Sequence, residues 1–171
     1  MPILPLSATP REERKSGPDA LTLLRDDHAT LWKLFEAYDA RTESLLDDIR
    51  TRMVTRICIE LTVHATLEEE IFYPAVRASL GDRRVLRMLE EAQIEHAGAK
   101  QLVTQLETAL CSHTLDDKTD SCLRVLHHYV RHHVEQEEQH LYPEIEASAL
   151  DIDALGRKLA DRRIRLKASL Q

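Results

Sequence analysis

One twelve-residue motif occurs twice in this chain, and it restricts the fold more than any other feature. Residues 64–75 read HATLEEEIFYPA, and residues 133–144 read HVEQEEQHLYPE, an offset of 69 residues. Both copies contain His-x-x-x-Glu-Glu followed by Tyr-Pro. Because positions i and i+4 lie on one face of an α-helix, each copy directs an imidazole and a carboxylate the same way. Two such helices facing each other would bring these groups together, which predicts a metal site, most naturally a two-iron site.

A fainter repeat precedes each copy of the motif. Residues 27–29 read DHA and residues 95–97 read EHA, 68 residues apart. In each half, the His-x-x-x-Glu motif begins 36 or 37 residues after the histidine of this tripeptide. The pattern indicates an internal duplication of a two-helix unit, with too long a period and too few copies for a solenoid. Two helix pairs predict an all-α protein built as a four-helix bundle.

The composition agrees with a single helical domain. The chain has 171 residues, with only 4 Gly and 6 Pro, and this length is sufficient to bury a core. Its apolar stretches are far shorter than the roughly 20 residues that a membrane span requires, so no membrane partner is expected. The first six residues, MPILPL, lack the basic start and apolar core of a secretion signal. The cytoplasm is therefore the expected compartment.

Disulfide bonds and nucleic-acid binding are both disfavoured. The three cysteines, Cys58, Cys111 and Cys122, show no Cys-x-x-Cys spacing, so neither a disulfide framework nor a thiolate zinc site is indicated. The net charge is -7 and aromatic residues make up 4% of the chain. Outside the tail we expect no strongly basic face, and no stacking platform for bases.

Caps, apolar periodicity and prolines set the expected helix boundaries. Asp19 is predicted to cap the first helix, and Gly81 to end the second. Pro74 and Pro143 are expected to kink or break helices at the Tyr-Pro steps. The predicted segments are an irregular arm over 1–18, helices over 19–40, 47–80, 82–112 and 117–147, connectors over 42–46 and 113–116, and a short amphipathic helix over 151–171.

This organisation divides the chain into an arm (1–18), a bundle (19–147) and a C-terminal amphipathic part (148–171). The last part carries apolar residues such as Leu155 and Leu159 among basic ones. We expect it to pack across the end of the bundle or against a second subunit, in a protein that is a monomer or a homodimer.

Repetition favours metal ligands over ordinary core or surface residues. A single buried histidine is more often a hydrogen-bonded core residue, and an i,i+4 His–Glu pair is a common helix stabiliser. Four histidines and two glutamates placed alike in two halves are hard to explain in that way. Imidazole and carboxylate without thiolate suit iron, manganese or zinc. Six side chains exceed the four ligands of a structural zinc, so they can serve two metals if Glu68 and Glu137 bridge them.

The combined pattern, with its Tyr73-Pro74 and Tyr142-Pro143 endings, resembles the hemerythrin-like (HHE cation-binding) domain over residues 19–147. The resemblance implies an up-down four-helix bundle around a non-haem di-iron centre with an oxo or hydroxo bridge, in which zinc or manganese can substitute. Carried over position by position, the implied ligands are His28, His64, Glu68, His96, His133 and Glu137.

One departure from the oxygen-carrying hemerythrins concerns the third helix. Those proteins have a second histidine one turn away, but Ala92 and Lys100 occupy the positions four residues either side of His96. We therefore expect one iron to have an open or water-filled position, which suits reaction with a small oxidant. His140 shares the face of His133, and either fills part of this gap or lies at the mouth of the bundle.

The other polar residues near the motifs have weaker assignments. Tyr129 precedes His133 by one turn and is a candidate for hydrogen bonding to a bound oxygen species. Glu69 and Glu138 either orient ligands or lie on a solvated face. Asp27 and Glu95 are expected at a neighbouring helix or in solvent. His113, His127 and His128 are expected in solvent or near a helix start. His132 is rotated about 100° from His133 on an ideal helix and is not expected to be a ligand.

Three functions follow from these features and the resemblance. The first is a di-iron protein that binds or turns over a small oxidant, namely dioxygen, hydrogen peroxide or nitric oxide; its excess of histidine over carboxylate favours this chemistry over iron storage. The second is an oxygen- or iron-responsive sensor. The third is iron donation for cluster repair. We see no fused output domain, which counts against the second, and no cysteine in residues 1–18, which counts against the third.

Overall fold

The computed structural model describes residues 17–40 and 47–170, and every regular element in these ranges is helical, which confirms the all-α prediction. The expected connector over 42–46 and most of the expected arm lie outside the described residues. Within them, no helix is sufficiently long and apolar to cross a bilayer. The elements are α1 (Ala20–Asp39), α2 (Asp47–Leu67), a first π turn (Glu68–Phe72), α3 (Tyr73–Ser79), α4 (Arg83–Cys111), α5 (Asp117–Gln136), a second π turn (Glu137–Leu141), α6 (Tyr142–Glu146) and α7 (Ile152–Ser169).

Aspartate side chains cap several helix starts. Asp19 and Asp116 each accept a hydrogen bond from the backbone N–H three residues later, at 2.9 and 3.0 Å. Such caps satisfy N–H groups that have no partner inside the helix, and the predicted cap at Asp19 is confirmed. The prediction for Gly81 is wrong, because α3 ends at Ser79 and no glycine in the described residues has the positive φ of a left-handed cap.

The Tyr-Pro steps change the pitch of their helices without ending them. The backbone N–H of Tyr73 donates to the carbonyl of Glu68, five residues earlier, and Tyr142 donates to Glu137 in the same way. Pro74 then lies in the first turn of α3, where a missing N–H costs little. Of the two outcomes expected at the prolines, a kink or a break, the break does not occur, and a π turn comes before each proline instead. Such turns often accompany functional sites.

The four long helices α1, α2, α4 and α5 form an up-down bundle. α1 packs on α2, α2 on α4, and α4 on α5. Two clusters of buried apolar side chains fill the interior: Leu24 belongs to the cluster near the Tyr-Pro steps, and Leu31 to the cluster at the opposite end. His28 lies between these leucines in the chain and is buried. A layer of polar side chains therefore crosses the bundle between its two apolar clusters.

The predicted C-terminal amphipathic helix is confirmed as α7, which lies alongside α1 and α2. Leu155 is buried in the apolar cluster near the Tyr-Pro steps. Further along α7, Arg163 forms an ion pair with Asp27 of α1, and Lys167 with Glu60 of α2. α7 thus follows the side of the bundle, which differs from the expected position across its end.

Candidate metal centre

The six implied ligands all reach the buried polar layer. None of their residues is more than 6% exposed, and Glu68 is fully buried. Each of α1, α2, α4 and α5 contributes one histidine, and the two π turns begin with the glutamates. The six residues are His28, His64, Glu68, His96, His133 and Glu137.

The histidines form two pairs, one from each half of the chain. The ring centroids of His28 and His64 are 4.8 Å apart, and those of His96 and His133 are 4.6 Å apart. In the second pair the two Nε2 atoms approach to 3.1 Å. Each pair therefore presents two imidazoles to a common point.

The two glutamates lie between these pairs. The Oε2 atom of Glu68 is 3.2 Å from His64 Nε2 and 3.3 Å from His96 Nε2. The Oε2 atom of Glu137 is 3.4 Å from His28 Nε2 and 3.6 Å from His133 Nε2. Glu68 Oε2 is also 3.7 Å from His133 Nε2, so each carboxylate contacts histidines from both halves. Two groups of ligand atoms within 4.8 Å of one another result, and they share Glu68.

Further carboxylates hold the outer nitrogens of three histidines. The Nδ1 atom of His28 is 2.7 Å from Glu138 Oε1, and His96 Nδ1 is 3.0 Å from Glu69 Oε1. His133 Nδ1 is likewise 3.0 Å from the Oε2 atom of Glu95. An imidazole held at Nδ1 by a carboxylate is fixed in orientation and is a more basic ligand through Nε2. Of the two alternatives for Glu69 and Glu138, the structure therefore favours orientation of ligands.

Burial disfavours the charged forms of His28 and Glu68 in this layer, but the opposite charges beside each of them outweigh this effect. Burial lowers the pKa of His28, yet Glu137 and Glu138 raise it to about 9. Burial raises the pKa of Glu68, but the surrounding histidines, His64 foremost, bring it well below its usual range. In the metal-free protein at neutral pH the His28 imidazole therefore holds a proton beside its carboxylate partners. Metal binding through an imidazole nitrogen must displace the proton on that nitrogen.

Two buried tyrosines hold the central carboxylates. The Tyr73 hydroxyl donates to Glu137 Oε1 at 2.9 Å and lies 3.2 Å from Glu68 Oε2, while Tyr142 donates to Glu137 Oε2 at 3.1 Å. Burial, together with the nearby carboxylates, raises the pKa of both hydroxyls well above the usual range, so they keep their protons. Sequence reasoning recognised Tyr-Pro as part of the repeat but gave its tyrosine no role. The signal was its fixed place five residues after each glutamate.

Unsatisfied atoms at the centre fit a metal site. Buried polar atoms in proteins almost always have hydrogen-bond partners, and exceptions require an explanation. Coordination to metal ions would satisfy the inward-facing atoms, namely His28 Nε2, His64 Nε2 and Glu68 Oε1, and would offset the buried negative charge. Within the described residues, the centre's buried side-chain atoms without a hydrogen-bond partner are His28 Nε2, His64 Nδ1, His64 Nε2 and Glu68 Oε1.

Two open cavities reach the centre. The first, about 310 Å³, lies between α2, α4 and α5 and is lined by His64, His96 and His133. The second, about 300 Å³, lies between α4 and the end of α5 and is lined by His133, Glu137 and Ala92. Ala92 and Lys100 are the two positions at which this chain departs from the oxygen-carrying hemerythrins. Lys100 lines the first cavity, and the small side chain of Ala92 borders the second.

Several residues considered from the sequence lie away from the ligands. His140 is exposed and belongs to neither group of ligand atoms. Tyr129 is 45% exposed and lines the first cavity, so its ring is not in the core. His127 is half-buried in the middle of α5 with its ring stacked on Phe35 at 4.6 Å, so the expected position in solvent or near a helix start is wrong for this residue. Besides His140, the exposed histidines among the described residues are His113, His128 and His132.

Comparison with known proteins supports the same reading of this centre. The family model described as the hemerythrin HHE cation binding domain matches residues 19–145, which include all six residues of the centre. No curated protein and no solved structure matches the chain.

Proposed function

The chain belongs to the hemerythrin HHE cation binding domain family, and from this premise we propose that it is a non-haem di-iron protein that consumes hydrogen peroxide. The observation that carries the proposal is the meeting of two histidine pairs with Glu68 and Glu137 between them. Four imidazoles and two carboxylates without a thiolate suit iron, and manganese or zinc as substitutes. Six ligands shared through carboxylates favour two ions over one.

The iron pair would supply the redox equivalents for the disproportionation of peroxide to dioxygen and water, a reaction that needs no external reductant. The protein's own residues have other tasks. Glu69, Glu95 and Glu138 hold ligand imidazoles at Nδ1. Tyr73 and Tyr142 keep their protons and fix the carboxylates between the two histidine pairs. Rigid ligands of this kind preserve the centre while its charge changes.

Access supports a small oxidant as the substrate. The two cavities, lined by His96, His133 and Ala92, lead to the second histidine pair. A metal ion at this pair would have fewer protein ligands than in the oxygen-carrying hemerythrins. An open position beside a redox metal permits direct binding of a molecule such as peroxide. Dioxygen and nitric oxide are of similar size, and they are the alternative substrates.

Metal analysis combined with peroxide kinetics tests the proposal. Protein produced with added iron should contain about two metal ions per chain, and its optical spectrum should change on addition of peroxide. Peroxide loss and dioxygen release should exceed those of metal-free protein and free iron, and His96→Ala should abolish them. One ion per chain at saturation would contradict the dinuclear site. A stable, reversible oxygenated spectrum without turnover would indicate a carrier or sensor instead.

A further inference from the structure

His64 differs from the other three histidines of the centre in what holds its outer nitrogen. The other three have a carboxylate oxygen at 2.7 to 3.0 Å from Nδ1. For His64 the nearest carboxylate is Asp27, whose Oδ2 atom is 3.6 Å from Nδ1. That distance is too long for a hydrogen bond, and His64 Nδ1 has no hydrogen-bond partner among the described residues.

The repeat identifies what is missing. Asp27 precedes His28 as Glu95 precedes His96, and each is placed to face the second histidine of its own half. Glu95 reaches His133 at 3.0 Å. Asp27 has one methylene fewer, and its carboxylate is engaged elsewhere.

Arg163 of α7 is the group that engages it. Its Nη2 atom donates to Asp27 Oδ2 at 2.5 Å and to the carbonyl oxygen of Leu23 at 3.2 Å. Asp27 Oδ2 is the same oxygen that faces His64 Nδ1. A guanidinium fixed at two points holds its carboxylate partner firmly. Asp27 is buried next to the metal ligand His28, and its ion-pair partner Arg163 belongs to α7, on the side of the bundle. Through this ion pair, α7 contacts a residue beside the metal ligands.

We propose that Arg163 is a positioning residue that keeps Asp27 away from His64 and thereby weakens metal binding at the His28/His64 pair. The proposal rests on the metal binding proposed above, but not on any reaction with an oxidant. A carboxylate partner at the outer nitrogen typically changes metal affinity by about 10- to 100-fold. Removal of Arg163 frees Asp27 to accept a hydrogen bond from His64 Nδ1–H, so the metal ion at this pair is held more tightly.

Arg163→Ala tests this, with Arg162→Ala as the matched control. Both arginines lie on α7 and pair with a bundle carboxylate, but Arg162 bonds the exposed Glu70, which forms no ion pair with a histidine of the centre. The probe is zinc alone, bound to protein with nitrogen-15-labelled histidine. In Arg163→Ala the His64 Nδ1–H resonance should move downfield and exchange more slowly with water. Zinc release to a chelator should slow about tenfold, and Arg162→Ala should match the unaltered protein in both measurements.

A second substitution tests the same contact without removing the ion pair. Asp27→Glu restores the side-chain length of its counterpart Glu95 and should give the same change at His64, whereas Asp27→Asn should not. If neither Arg163→Ala nor Asp27→Glu alters the His64 resonance or zinc release, the role of Arg163 is overturned. If the unaltered chain takes up no zinc, the metal site itself is overturned, so the two failures are distinguishable.

Discussion

The two histidine pairs of this bundle have equivalent ligands but different surroundings. The His96/His133 pair has carboxylates at both outer nitrogens and cavities on two sides. The His28/His64 pair has a carboxylate at one outer nitrogen only, and α7 lies alongside the two helices that carry it. The His96/His133 pair is thus held at both outer nitrogens and reached by two cavities, whereas the His28/His64 pair is held at one outer nitrogen and reached by one cavity, at His64. If each pair holds one of the two proposed ions, the two ions are held and reached differently.

The difference arises at positions where the repeat is not kept. Four residues before His28 lies Leu24, which is fully buried in the apolar cluster; four residues before His96 lies Ala92, which leaves a cavity. Lys100 forms an ion pair with Glu69, and together with His96, the larger influence, it lowers the pKa of Glu69 to about 2. The duplicated residues therefore set the kind of centre, and the unduplicated ones set its asymmetry.

Glu68→Ala should weaken metal binding at both histidine pairs alike, because Glu68 belongs to both groups of ligand atoms. Loss of a buried carboxylate leaves both histidine pairs without the charge that balances a cation. We expect at least about a 100-fold loss of metal affinity and fewer than two ions per chain by elemental analysis. Glu69→Ala is the control, since Glu69 contacts the centre only at the outer nitrogen of His96. If Glu69→Ala removed metal and Glu68→Ala did not, the assignment of ligands would be wrong.

Raising the pH should affect the metal-free and metal-bound proteins in opposite ways. The pKa of His28 is raised from 6.5 to about 9. Its protonation therefore stabilises the metal-free fold fully below pH 6.5, and this contribution, about 3 kcal/mol at most, is lost as the pH rises through 9. Metal binding displaces the proton, so affinity should rise over the same interval.

Urea denaturation of chelator-treated protein between pH 6 and 10 measures this effect. His28→Gln should flatten the dependence of the unfolding free energy on pH. An unchanged slope in that variant would mean that His28 is not the group responsible.

Removal of the orienting carboxylates should distinguish the pairs. Glu138→Gln frees His28 Nδ1, and Glu69→Gln frees His96 Nδ1. Each should lower metal affinity about tenfold, measured by competition with a chromophoric chelator. The effect of Glu138→Gln should be the larger, because its pair then has no orienting carboxylate, whereas Glu95 still holds His133. A larger loss of metal affinity in Glu69→Gln than in Glu138→Gln would contradict the conclusion that the His28/His64 pair is held less firmly.

Ala92→Leu should make the second half resemble the first. A leucine there would fill the cavity beside His133, as Leu24 fills the matching position in α1. Metal content should be unchanged, while azide binding to the iron form, followed by stopped-flow absorbance, should slow several-fold. Ala97→Leu, at an exposed position on the same helix, should have no effect. Equal azide rates in all three proteins would show that this cavity is not a route of access.

Sequence patterns predicted the parts of this molecule that depend on one helix at a time. The cap at Asp19 and the shared direction of His64 and Glu68 follow from local helix geometry. The duplication then predicted which helices face each other, because two copies of the same His-x-x-x-Glu motif can both be buried only if their helices face each other. The position of the apolar clusters follows from the same periodicity.

Features that depend on contacts between helices were not predictable in that way. On an ideal helix, Glu95 is rotated about 100° from His96, yet it reaches a histidine on the next helix. The arrangement of Asp27 depends on a guanidinium more than a hundred residues away in the chain. Gly81 is the residue type that favours a helix C-cap, but its backbone does not have the positive φ of such a cap. In each case the outcome depends on how two surfaces pack, which a pattern within one segment does not contain.

The π turns make chain length, as well as residue identity, a requirement of this centre. In a regular helix, side chains five residues apart point about 140° away from each other, yet the Tyr73 hydroxyl lies 3.2 Å from Glu68 Oε2. The extra residue in the turn is what returns the tyrosine to the carboxylate. Deleting one residue between Glu68 and Tyr73 would rotate everything that follows, even if every named side chain were retained. Such a deletion should therefore be less tolerated than a substitution at the same place, and the spacing of five from glutamate to tyrosine is itself a readable part of the motif.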